Sequence, residues 1–134
     1  MTATKSRTMP LDSCEEIVHL RQTTRSWMAE QRFTLVEQTK MMTATSELAR
    51  NAVVYGGGGS AKLELLEGSG RMGIRVVVED QGPGIADIGQ AMTDHFTSGQ
   101  GMGLGLGGAK RLVDDFEIRS EPGKGTVVSI TKWK

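Results

Sequence analysis

The sequence predicts an α/β sandwich of the α+β kind: two layers, with helices on one face of a mixed, mostly antiparallel sheet. Three observations lead there. Helical periodicity fills the first half of the chain and strand periodicity most of the second. The strands come as neighbours joined by short glycine turns, as hairpins do. The 134 residues include 18 glycines, nearly twice the roughly 7% of average usage, gathered at 56–59, 68–73, 82–84 and 99–108. Helices first and hairpins afterwards give one layer of each, packed face to face.

Residues 1–11 are polar with one proline and read as a tail or an edge strand, leaving 12–134 as a single domain. Asp12 or Ser13 can cap a first helix, and Glu15 and Glu16 in its first turn suit the helix dipole. Ile17, Leu20, Thr24, Trp27 and Met28 then form an apolar stripe that ends near Gln31. Thr34 and Glu37 make a capping box for a second helix, which Gly56 stops. Its expected core stripe is Leu35, Met42, Ala49 and Val53.

Residues 61–66 and 74–79 are the first two strands of the second half, turning at 68–70, and the β-branched run at 74–78 suits a central strand. A short helical piece is expected at 88–92, and a third long helix from 103–105 through Ala109, Leu112 and Val113. Residues 116–120 and 126–133 complete the sheet around the turn at 122–125.

Composition narrows the function. Sixteen basic and 16 acidic residues cancel, so no global field draws the chain to nucleic acid or membrane. One Tyr and three Phe are too few for a base-stacking platform. No apolar run approaches the roughly 20 residues of a membrane span, and Lys5 and Arg7 precede no signal-like stretch. A single cysteine, Cys14, fits a reduced, cytoplasmic setting. His19 and His95 stand alone and make no metal site.

Three clusters carry the chemistry. Glu47 and Asn51 lie four apart in Glu47-Leu-Ala-Arg-Asn51, where helical side chains meet and can offer oxygens to Mg²⁺. Asp80 ends the apolar run and enters a glycine turn, Asp80-Gln-Gly-Pro-Gly-Ile85, that lets a ligand approach the backbone. The run 99–108 can wrap phosphate oxygens with its backbone amides. Together, in this order, they predict an ATP site. Arg50 and Arg111 are candidates for the γ-phosphate or for surface ion pairs.

These clusters resemble the N box and the two glycine boxes of the GHKL ATPase superfamily, which includes gyrase, Hsp90, histidine kinases and MutL proteins. Ser46-Glu-Leu-Ala-Arg-Asn51, Glu79-Asp-Gln-Gly-Pro-Gly-Ile85, the stretch Lys110-Arg-Leu-Val-Asp-Asp-Phe116 and the ending Lys132-Trp133 are similar to the small bacterial serine kinases of stressosome-type partner switching. The likeness covers about residues 10–134.

The resemblance implies a Bergerat ATP-binding fold with the nucleotide between helices and a lid at 87–99. It implies Asn51 as the Mg²⁺ ligand, Glu47 as the general base and Asp80 as the acceptor for the adenine amino group. Thr126 would support that aspartate and the base, Gly82, Gly84 and Ile85 would shape the adenine turn, and Gly101, Gly103, Leu104 and Gly105 would give amides to phosphates. It further implies a serine/threonine kinase acting on STAS-domain proteins and, once released, activating a PP2C-type phosphatase. Two alternatives stand beside it: an anti-sigma factor of the same fold, and a nucleotide-gated adaptor with little transfer activity. His19 only faintly echoes a phospho-accepting histidine box, and no room exists for the helix pair such a box occupies, so histidine autophosphorylation is not expected.

Overall fold

The computed structural model describes residues 2–82 and 105–134. In chain order these are β1 (Thr2–Leu11), α1 (Cys14–Glu30), α2 (Leu35–Val54), β2 (Gly59–Gly68), β3 (Arg71–Asp80), α3 (Gly105–Leu112), β4 (Asp115–Ser120) and β5 (Thr126–Trp133). The five strands form one sheet in the order β1-β2-β3-β5-β4, and every pairing is antiparallel. The helices cover one face. The layers are the expected ones, with an antiparallel register throughout the described sheet.

Local chemistry explains the boundaries. Glu16 reaches back to the Ser13 amide at 3.1 Å to start α1. At its end Phe33 N donates to Met28 O and Arg32 N to Ala29 O, a Schellman closure with Arg32 at φ 60 where glycine is usual. The Thr34 hydroxyl accepts from Glu37 N at 3.1 Å while the Glu37 carboxylate accepts from Thr34 N at 2.8 Å, so α2 has its capping box. Ser69 and Gly70 turn the β2–β3 hairpin with φ 53 and 75, the two positive values of a type I′ turn.

The core lies between helices and sheet, with Leu20, Met28, Met41, Leu48, Leu63, Ile74, Val76 and Ile130 essentially solvent-free. One expectation is corrected. Leu35 is 72% exposed, and Met42 and Val53 are only partly covered, so the buried face of α2 is Gln38, Met41, Ala44, Thr45, Leu48, Ala49 and Ala52. The Gln38 amide, taken inward, donates to Phe33 O at 2.9 Å and so meets the cost of its burial. At the first edge of the sheet, Lys5 of β1 sits 4.2 Å from the Trp27 ring of α1, a cation–π contact between the layers.

Candidate nucleotide site

β3 and β5 build one end of the site. Asp80 closes β3, Thr126 opens β5, and the two pair in register, so their side chains leave the same face of the sheet. Each is only 9% exposed. The Asp80 carboxylate accepts from Gly82 N at 2.9 Å. Burial pushes its carboxyl above the ordinary 3.8; hydrogen bonds from the Gly82 and Thr126 backbones pull it down, and the neighbouring Glu79 charge pushes it up again.

Three glycines crowd together around Asp80. A Cβ at Gly56 would run into the Asp80 carboxyl, one at Gly82 into the Gly56 backbone, and one at Gly125 into the Asp80 carbonyl oxygen. Gly125 also has φ +84, a conformation that side chains rarely adopt. The turn after α2 is thus more than a helix stop. Tyr55 N and Gly56 N both donate to Asn51 O at 3.0 Å, and Gly58 N donates to Ala52 O at 2.8 Å. These bonds curl the chain so that the backbone at Gly56 lies against Asp80. Beyond Thr126 stands Ser120, whose hydroxyl lies 2.8 Å from the Thr126 hydroxyl and 3.1 Å from Gly125 O.

The other end belongs to α2 and α3. Glu47 and Asn51 are half-buried on α2, and the Glu47 carboxylate accepts from Gly105 N at 3.3 Å. Gly105, at φ +69, is the first residue of α3, so a carboxylate from a residue 58 positions earlier caps that helix. Helix α3 begins Gly-Leu-Gly-Gly-Ala, and all five of these residues are buried. The small residues let α3 lie close to its neighbours, and Leu106 and Ala109 join the core.

The structure therefore brings Asp80, Gly82 and Thr126 together at one end and Glu47 and Gly105 together at the other, with Asn51 one helical turn beyond Glu47. Gly84, Ile85, Gly101, Gly103 and Leu104, the expected lid at 87–99, the helical piece at 88–92 and His95 lie outside the described residues. Arg50 and Arg111 are both engaged by other groups. Sequence reasoning missed Gly56, Gly125 and Ser120. The glycines carried a signal, since both sit in glycine-rich turns, whereas a serine ending an edge strand carries none.

This donor set suits a nucleotide with its cation. A buried carboxylate in a cradle too tight for any Cβ offers an acceptor to a flat ring edge. The hard oxygens of Glu47 and Asn51 are of the type Mg²⁺ takes alongside phosphate and water.

Comparison with known proteins agrees. Residues 36–134 match the family described as histidine kinase-, DNA gyrase B-, and HSP90-like ATPase. The chain belongs to this ATP-binding family, on its serine/threonine-protein kinase branch. It is 43% identical over 118 residues to the serine/threonine-protein kinase RsbT of Bacillus subtilis, covering 88% of this chain and 89% of that one. It is 33% identical over 105 residues to the anti-sigma F factor of a Thermoanaerobacter species, covering 75% and 73%. Among solved structures, the RsbU and RsbW domains of a Mycobacterium tuberculosis protein share its fold at TM-score 0.66 and 22% identity. That match takes in 98% of this chain and 33% of the other, so this chain spans a third of that longer protein. The mycobacterial sensor histidine kinase MprB shares the fold at TM-score 0.56 and 17% identity.

Proposed function

We propose that the protein is a cytoplasmic, ATP-dependent serine/threonine kinase of a partner-switching pathway, one ATP-binding domain over residues 12–134, whose substrates are STAS-domain proteins. The observation that carries the reading is the buried Asp80 carboxylate, paired in register with Thr126 and crowded by glycines. Asp80 accepts from the adenine amino group, with Gly82, Gly84 and Ile85 shaping the turn beside the base. Guanine carries a carbonyl oxygen where adenine carries that amino group, and so cannot make this contact. Gly101, Gly103, Leu104 and Gly105 give amides to the phosphates.

Glu47 takes the proton from the acceptor hydroxyl as that oxygen attacks the γ-phosphorus of ATP, and ADP leaves. Asn51 holds Mg²⁺, which when bound neutralises phosphate charge. Positioning and charge stabilisation supply most of the rate. The Glu47 carboxylate accepts from Gly105 N, one of the amides proposed for phosphate, so phosphate and Glu47 compete for the same donor.

The partner has a place to dock beside α2. A cleft of about 240 Å³ between α1 and α2 is lined by Arg21, Arg25, Leu35 and Met42, among others, with no carboxylate in its wall among the described residues. Arg21 and Arg25 are the charged residues of that wall among the described residues, which favours an acidic segment of the substrate. Phosphorylation then loosens the complex by placing a dianion in a packed interface, and the freed kinase engages a PP2C-type phosphatase. The 33% identity to an anti-sigma F factor favours a second reading, in which sequestering a sigma factor is the main task.

Incubation with Mg²⁺–ATP and STAS proteins of the same organism, read by mass spectrometry, is the test. A phosphorylated Ser or Thr with dissociation of the complex is expected. A tight STAS complex that gains no phosphate would contradict the kinase reading, and co-purification of a sigma factor would select the second.

A further inference from the structure

We infer that Ser120 is a positioning residue that sets the base specificity of the site by fixing the direction of the Thr126 hydroxyl proton; this rests on the reading of Asp80 and Thr126 as the adenine pocket. Ser120 ends β4 and pairs in register with Thr126 of β5. Its Oγ lies 3.1 Å from Gly125 O and 2.8 Å from Thr126 Oγ1. A hydroxyl owns one proton and a carbonyl can only accept. Ser120 therefore gives its proton to Gly125 O, and the short bond to Thr126 must be donated by Thr126.

That assignment decides what Thr126 shows a ligand. With its proton committed to Ser120, Thr126 Oγ1 has only lone pairs left and acts purely as an acceptor. Asp80, directly across the β3–β5 ladder, is also an acceptor when ionised. The two strands together present an edge that takes donors and refuses acceptors. The amino group of adenine supplies donors, directly or through a water. The 6-oxo oxygen of hypoxanthine meets lone pairs on both sides.

Ser120 thus acts on the nucleotide only through Thr126. Gly125, whose carbonyl takes the Ser120 proton, packs against the Asp80 carbonyl too closely for a Cβ, so the turn that holds this acceptor is tightly placed. Remove the Ser120 hydroxyl and the Thr126 proton is free to rotate toward a 6-oxo oxygen. Discrimination falls although every group that touches the base remains.

The experiment is calorimetric titration of ATP and inosine triphosphate against the whole protein, Ser120→Ala, Ser120→Thr and Asp80→Asn, with circular dichroism to confirm folding. Ser120→Ala should lower the ATP-to-inosine triphosphate affinity ratio roughly threefold to tenfold, about the weight of one ordinary hydrogen bond. Ser120→Thr, which keeps the hydroxyl, should restore the wild-type ratio. An unchanged ratio in Ser120→Ala, including equal weakening of both nucleotides, would overturn the role of Ser120 while leaving Asp80 in place. Wild-type ATP affinity in Asp80→Asn would instead overturn the adenine-pocket reading beneath it.

Discussion

At the base end of the site Asp80 is held by two adjacent strands, an amide from Gly82 and three glycines that leave no space for a side chain. At the α2–α3 end, Glu47 meets Gly105 through one hydrogen bond of 3.3 Å. The first arrangement is over-determined: strand pairing, an amide and close-packed glycine backbone fix Asp80 at once. Among the described residues the second rests on that one bond, for which another acceptor such as phosphate can compete. Under the proposed function that division suits a kinase: Asp80 would read the base the same way each cycle, while Glu47 would let go of one partner to serve another.

The largest effect should come from attacking the rigid end. Gly125→Val asks a β-branched residue to adopt φ +84 and drives its Cβ into the Asp80 carbonyl. It should cost about 3 kcal/mol or more, combining backbone strain with overpacking. Denaturant unfolding checks this, and a loss under ~1 kcal/mol would show that the wall is soft. Next, Glu47→Ala should lower phosphoryl transfer roughly 10²-fold or more while the protein still folds. Single-turnover transfer to the protein substrate is the measurement, and a wild-type rate would place the base elsewhere.

A smaller effect separates the ends by pH. Burial raises the Asp80 pKa above 3.8, so the folded protein holds that proton more tightly than the unfolded chain. The stability contributed by this group is complete below pH 3.8 and lost as pH rises through the raised value. Wild type should therefore lose stability relative to Asp80→Asn across that window, and parallel unfolding curves would contradict it. The smallest change is expected at the surface. Leu35→Ser, at a position 72% exposed, should shift stability by less than about 0.5 kcal/mol, whereas Leu48→Ala should cost about 2–5 kcal/mol.

That last pair marks where the sequence was legible. Element types and their order followed from local signals: the Thr34–Glu37 box, the period of the α1 stripe and the turn at Ser69–Gly70. Such signals act within a few residues. The buried face of α2 departs from the expected stripe because what packs against a helix decides which of its faces is covered, a tertiary quantity. At the site, residue identity was readable where a motif concentrates unusual types, as at Asp80 and the glycines. Juxtapositions across the chain were not. Ser120 against Thr126, Gly56 against Asp80 and Glu47 against Gly105 arise from strand register and helix packing, and no spacing in the chain records them.

The division of labour between the two ends is tested most directly by one calorimetric series: Mg²⁺–ATP titrated into wild type, Asp80→Asn and Glu47→Gln. Asp80→Asn should weaken binding roughly 10²-fold, the weight of a charged hydrogen-bond acceptor lost from a buried site. Glu47→Gln should keep affinity within a few-fold of wild type. Unchanged affinity in Asp80→Asn, or a greater loss in Glu47→Gln, would contradict the account.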